Sequence, residues 1–442
     1  MDSSKRKLLI VGAGIGGLVI AKKLALTNKY DITILERGTR DTLSYDLEDD
    51  VRQDVFSSDI VSLPPNGYSE KKLWTFITPF NAHQILVSQP PQHKEYSIQR
   101  RKFSQHLIDK AVSAGAKILY KTEATSAIIK DDTVIGVTAN GKAIYADLVI
   151  DNAGLNSLIR HSISSNLGSF KDIDPTDIFY AYRAYYNRNN VPLAKHTNKA
   201  YLRPQGAIGI SWCIDREKSV DVLIGLISSN DNNNVQKTLS MLKKDNPCLG
   251  DTVIQGGKIV QIPLRYPSLQ MVTSGYAGIG DCVYMTIPML GSGIGSSIMA
   301  GSILSDVIEK IGSSAFSANV LWEYQVRVFK SFGCDHISID CMRRWLLTLN
   351  PQIINNIVDS GLLNESDIAT VSRGDRLSLP TRDKLKRGIK CLKSLDLLLQ
   401  LNKLLTTMNR GYRLALSIPT NYNVKAITKW KFKMINFMNS LN

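Results

Sequence analysis

No run of about 18 apolar residues occurs anywhere in the 442-residue chain, so no membrane-spanning helix is expected. Histidine is scarce: the six present are dispersed without an HExxH-like spacing, and no metal site is inferred. The six cysteines (Cys213, Cys248, Cys282, Cys334, Cys341 and Cys391) form no CxxC, which suits reduced thiols better than a disulfide framework or a metal cluster. Internal repeats and low-complexity tracts are absent too, which argues against a solenoid or a disordered array. Lys5, Arg6 and Lys7 precede an apolar stretch, but it runs into glycines rather than a cleavage site. It reads as a first β-strand, not a signal peptide, and a cytoplasmic protein is expected, with association at a membrane surface as a further option. Acidic residues are sparse at one end. Residues 381–442 hold 13 Lys/Arg against two Asp, which supplies +11 of the chain's +15 net charge. Such a segment points to an anionic partner; without any nucleic-acid-binding module, nucleic acid is not expected.

Hydrophobic residues make up 43% of the chain, enough for a packed interior of two or three domains. Residues 7–12 read as a buried strand, 17–27 as a helix and 31–36 as a second strand, a βαβ unit. An amphipathic helix is expected over 102–115, closed by Gly115. Strands follow near 117–128, 133–138 and 142–151, with Asn140-Gly141 as the hairpin turn between the last two. From about 175 to 265 the pattern is strand-rich (180–187, 206–214, 220–228). A strand returns at 275–280, a long helix at 293–312, and helices continue after about 320. The expected architecture is α/β: a Rossmann-like dinucleotide-binding domain (1–165 and 270–320), an antiparallel-sheet substrate domain (166–269) and a helical, basic C-terminal region (321–442).

Two glycine turns carry the chemistry. Gly12, Gly14 and Gly17 form G-x-G-x-x-G between a strand and a helix, and the next strand ends in Glu36. The first glycine permits the turn, the second lets backbone N–H groups reach a pyrophosphate, and the third allows close helix packing; the carboxylate accepts ribose hydroxyls. An acidic residue there repels a 2′-phosphate, so FAD or NAD fits better than NADP. The second turn, Gly280-Asp281 through Pro288 to Gly291-Ser292-Gly293-Ile294-Gly295, lies some 260 residues on. Asp281 suits ribityl hydroxyls, and a helix starting near Gly293 suits phosphates or the flavin's pyrimidine end. A plain dehydrogenase has no need of it, so FAD is the expected cofactor.

With GAGIGG and Glu36, Tyr96-Ser97-Ile98-Gln99-Arg100-Arg101-Lys102-Phe103, VIDNAGLNSLIR (149–160) and GIGD…P…GSGIG, the chain resembles the flavoprotein superfamily of class A monooxygenases, flavin halogenases and geranylgeranyl reductases over roughly residues 5–345. Within it, Gly209-Ile210-Ser211-Trp212-Cys213-Ile214-Asp215 and Gly256-Gly257…Ile262-Pro263 look most like geranylgeranyl reductases, which saturate isoprenoid double bonds. The monooxygenases' Ala-Asp-Gly is here Asn152-Ala153-Gly154, and the halogenases' tryptophan motif is not found. The resemblance implies a flavin site at Gly12, Gly14, Ile15, Gly16, Gly17, Glu36, Arg37, Arg100, Ala124, Gly280, Asp281, Gly291, Gly293 and Ile294. It also implies a substrate lining at Trp212, Tyr284 and Pro288.

The resemblance further implies an isoprenoid lipid or quinone as substrate and NAD(P)H or a ferredoxin as electron donor. No side chain is singled out as catalytic; Tyr45, Asp46 and Tyr284 fall where they can approach the flavin. The aromatic faces of Tyr180–Tyr186 suit either a lipid tunnel or sheet packing. Residues 390–405 and 425–438, with Trp430, Phe432 and Phe437 among lysines, suit an amphipathic helix on an anionic bilayer, with a helical cap over the substrate domain as the alternative. The rival functions are a monooxygenase acting on a hydrophobic metabolite and a non-catalytic flavin or lipid carrier.

Overall fold

The computed structural model describes residues 5–57, 60–71, 73–163, 173–227, 232–377 and 395–441. Cys391 and the first five residues of the 390–405 stretch (390–394) lie outside them.

The buried strand Arg6–Val11 pairs in parallel with Tyr30–Leu35 on one side and Leu148–Asp151 on the other. Lys117–Leu119 and Tyr276–Gly278 extend this sheet in parallel at its two sides, and Val272–Thr273 closes it antiparallel. Helices Ile15–Ala25 and Ile294–Ile311 pack against each other. A Cβ on Gly301 would stand 2.7 Å from the carbonyl oxygen of Gly16, so their approach depends on a residue without a side chain. The Asn140-Gly141 turn forms as its sequence requires. Both residues have positive φ (46° and 75°), and it joins Thr133–Ala139 to Lys142–Tyr145 in register.

A seven-stranded sheet makes the second layer. Its long strands Ile178–Arg188, Gly209–Asp215, Ser219–Ile227 and Leu249–Pro263 are antiparallel neighbours. It also recruits the hairpin Trp74–Ile77/Gln84–Val87 from the N-terminal third of the chain, through a parallel pairing with Asn198–Leu202. One face is covered by helix Asn232–Asp245, over a core that includes Tyr186, Val222, Ile224 and Leu242. The other face carries a thinner cluster around Phe179, Ala181 and Leu223 and looks toward the parallel sheet. The alternation in 180–186 resolves accordingly. Tyr182 and Tyr186 join the helix-covered face, with their hydroxyls 2.7 Å apart, while Ala181 and Arg183 face the other way.

The C-terminal helices share the main core with the parallel sheet. The Trp322 indole donates to the Pro419 carbonyl, and Trp430 packs edge-on against Phe329 at 5.2 Å. Trp430 and Phe437 are therefore core residues, not interfacial aromatics; of that trio only Phe432 is exposed. The helix Val424–Asn439 is a cap on the molecule.

Candidate active site

The carboxyl ends of the parallel strands face the seven-stranded sheet across a cavity of about 1380 Å³. Ligands of open α/β sheets sit at this position. The volume exceeds the roughly 300–1,000 Å³ of common small-molecule pockets, so a dinucleotide leaves room for a second ligand.

One end is built from backbone. Gly12 turns the chain with φ +88°, and a Cβ there would come within 2.6 Å of the Asn152 carbonyl oxygen. Gly14 N-caps helix Ile15–Ala25 and Gly293 N-caps helix Ile294–Ile311, and in neither case does a side chain cap the helix. Both helix starts lie on the cavity wall, with Gly14 and Ile15 at one and Gly291, Gly293 and Ile294 at the other. Uncapped N–H groups with the dipole behind them are ready to hold an anion. Glu36 stands behind the first turn. Its carboxylate accepts the Ala13 N–H at 3.0 Å and the Gly38 N–H at 2.7 Å, which fixes the loop that continues into the wall at Asp41 and Thr42.

Asp281 is on the wall, and no hydrogen bond to its carboxylate is formed among the described residues. Burial raises its pKa, opposed by the charge of Arg100. Arg100 opens helix Arg100–Ser113, sits 3.7 Å from Asp49 and lies over the Tyr45 ring at 5.9 Å. Its Nε is buried without an acceptor among the described residues. A donor left unsatisfied in this way is costly, and a ligand oxygen answers it. The uncapped helix starts, a turn too tight for a Cβ, and the unpartnered Asp281 and Arg100 Nε together fit a dinucleotide spanning both turns.

The other end is built from side chains. Phe179, Ala181, Ile210, Trp212, Leu223 and Ile262 give it an apolar wall. Trp74 meets Trp212 edge to face at 5.9 Å, and the Trp212 indole donates to Asp221 at 3.4 Å. Against this wall runs the acidic segment Asp46–Asp50. Arg183 reaches it from the sheet, donating to Asp49 Oδ1 at 3.0 Å while gripping the fully buried Asp221 at 3.1 and 2.9 Å. Arg216 donates to Glu48 at 2.7 Å. Lys71 lies 3.0 Å from Asp50 and 2.7 Å from Glu95. Burial would lower the Lys71 pKa, but the two carboxylates overcome it and raise it, so the ammonium stays charged.

The expected residues divide. Gly14, Ile15, Arg100, Gly280, Asp281, Gly291, Gly293, Ile294 and Trp212 line the cavity, as do Tyr45 and Asp46. Gly12, Gly16 and Gly17 shape the first turn and its helix from beneath; a Cβ on Gly17 would press on Ile10. Arg37 is exposed and off the wall, and Ala124 belongs to strand Ala124–Lys130 and its small core. Tyr284 and Pro288, expected along the substrate, are buried away from the cavity. Tyr284 accepts from Arg160 at 2.7 Å and lies beneath Arg265 as a structural contact. Sequence reasoning missed Asn152 beneath the first turn, Lys71, Arg183 and Arg216. The acidic run Asp46–Asp50 was the available signal: so much negative charge in a basic chain calls for buried cations to meet it.

The NAD(P)-binding Rossmann-like domain model matches residues 10–58. A digeranylgeranylglycerophospholipid reductase of Sulfolobus acidocaldarius is 25% identical over 358 residues, 77% of each chain. A crystal structure of a geranylgeranyl bacteriochlorophyll reductase-like protein from Thermoplasma acidophilum superposes with TM-score 0.72 at 20% identity, covering 90% of this chain and 99% of that one. A probable FAD-dependent monooxygenase from Pseudomonas aeruginosa gives TM-score 0.59 at 15% identity, over 80% of this chain and 100% of its own.

Proposed function

We propose that this chain, a member of the geranylgeranyl reductase family of FAD-dependent oxidoreductases, saturates C=C bonds in isoprenoid chains. The observation that carries the reading is the single cavity with two ends. Uncapped helix N-termini suited to a pyrophosphate stand at one end, and an apolar sheet face with Trp74 and Trp212 at the other. When bound, FAD supplies the hydride, having been reduced by an external donor, a nicotinamide or a ferredoxin. The chain's own residues do the rest. The glycine turns with Glu36, Arg100 and Asp281 hold and orient the dinucleotide. The apolar wall aligns the prenyl chain and keeps water from it. Tyr45, whose hydroxyl donates to Asp49 at 2.5 Å, places an O–H group on the same wall.

The test is anaerobic. Reduced protein mixed with a geranylgeranyl substrate regains its oxidised spectrum while the product gains a pair of hydrogens per bond. Reoxidation only on admitting oxygen, with oxygen incorporated into product, would instead establish the monooxygenase reading.

Peripheral membrane contact belongs to the same proposal. No helix among the described residues is long and apolar enough to cross a bilayer. The outer face of Val424–Asn439 exposes Lys425, Lys429 and Lys433 around Phe432, with Val424 nearby. Cations around an exposed aromatic suit an anionic surface. Flotation with phosphatidylserine vesicles, lost in phosphatidylcholine and in Phe432→Ser, is the expected behaviour.

A further inference from the structure

The helices Leu395–Leu416 and Val424–Asn439 leave between them a groove of about 980 Å³. It shares no lining residue with the cavity between the sheets. Its floor is apolar, with Phe437 buried and Leu414 half-buried. Three exposed cations rim it: Arg410 and Arg413 from the first helix and Lys433 from the second. Among the described residues none of the three has a carboxylate at ion-pair distance, and no Asp or Glu lines the groove. The cations of the interior differ, since Lys71, Arg183 and Arg216 each hold a carboxylate. The only acidic side chain of the two helices is Asp396. It lies about 21 Å along the helix axis from Arg410, beyond the roughly 10 Å over which charge is felt at 0.1 M salt. The helix dipole accounts for Arg413 alone, in the last turn of its helix; Arg410 and Lys433 lie outside the last turns of theirs. The Arg410 guanidinium is held over the Phe437 ring at 5.4 Å, which fixes one charge above the apolar floor.

We propose that this groove binds the headgroup phosphate of an anionic membrane lipid. The phosphate oxygens take the donors of Arg410, Arg413 and Lys433, and the first carbons of the lipid chain lie on Leu414 and Phe437. The inference rests on the membrane-contact reading for the source of the lipid and adds a defined site to it. Guanidinium forks match phosphate oxygens in pairs, and three like charges in one groove repel until an anion joins them. The volume exceeds what a bare phosphate fills, and an apolar floor does nothing for inorganic phosphate, so the occupant is a lipid. Lys433 also belongs to the cations around the exposed Phe432, which puts the groove beside the face that meets the bilayer.

The experiment titrates the full-length, flavin-loaded protein by calorimetry with monomeric dihexanoyl phosphatidate, dihexanoyl phosphatidylcholine and inorganic phosphate. Phosphatidate is expected to bind at least about tenfold more tightly than the other two. Arg410→Gln and Arg413→Gln should each weaken it at least about tenfold, with the flavin spectrum unchanged as the check on folding. Lys433→Gln is the further variant should either fail to fold. Phosphatidate affinity unchanged in these variants, or inorganic phosphate binding as tightly as phosphatidate, would overturn the proposal. Flotation on phosphatidylserine vesicles separates it from the broader reading. Flotation that persists without any phosphatidate binding removes the groove and leaves contact through Phe432. Arginine-dependent phosphatidate binding without flotation removes the bilayer contact and leaves the groove.

Discussion

The two ends of the cavity are held by different means. At the dinucleotide end the groups that matter are main-chain: two glycine turns, two uncapped helix starts, and a Glu36 carboxylate that braces a loop. At the substrate end they are long charged side chains, drawn from residues 46–50, 71, 183, 216 and 221, that meet only in the folded protein. A backbone site tolerates side-chain exchange and is destroyed by an added Cβ. A side-chain site does the reverse.

That contrast can be broken by substitution. Arg183→Met should have the largest effect, because it leaves Asp221 and Asp49 without their cation in the interior. About 3–5 kcal/mol of stability should go, read by chemical denaturation. Adding Asp221→Leu to it should recover much of the loss, since an apolar pair replaces the ionic one. At the other end Gly12→Ala forces a side chain into a positive-φ turn beside the Asn152 backbone. Strain of roughly 1–3 kcal/mol predicts FAD affinity weakened about ten- to a hundredfold. Glu36→Gln keeps the shape but removes the charge and puts an NH2 against one of the two backbone N–H groups, Ala13 or Gly38, that the carboxylate accepts. Its effect should be smaller, about tenfold in FAD affinity by equilibrium titration, without loss of fold.

The pH dependence separates the ends by sign. Burial would raise the Asp50 pKa, but Lys71 and Ser97 overcome it and hold it low. Its stabilising contribution is present above the ordinary carboxylate range and is lost as pH falls through the folded value. Asp281 has its pKa raised by burial, so its ionisation costs the flavin-free protein stability as pH rises through the folded value. In thermal melts of the flavin-free protein at neutral pH, Asp281→Asn should therefore raise Tm and Asp50→Asn should lower it. Asp281→Asn should still weaken FAD binding.

The same division explains what the sequence made legible. Gly12, Gly14, Gly17, Gly291 and Gly293 are local signals: the turn, the helix it starts and the strand before it are contiguous, so spacing alone places them. Asn140-Gly141 was readable for the same reason. Arg183 looked like one charge in an alternating strand, because its partners Asp49 and Asp221 are set by sheet pairing far away in sequence. The hairpin at residues 74–87 joined the substrate sheet through a pairing no local pattern encodes. Tyr284 went astray because Arg160 and Arg265 claim it behind the turn. Trp430 and Phe437 went inward because helix amphipathicity does not say whether the apolar stripe faces a bilayer or a neighbouring helix.

The most direct test is a visible spectrum of the protein, dialysed against FAD and then titrated with geranylgeraniol. One flavin per chain, with its absorption bands displaced as the prenyl alcohol fills the remaining space, is the predicted result. A colourless protein that takes up no FAD at saturating concentration, or a flavin spectrum indifferent to the prenyl ligand, would contradict a single cavity built for both.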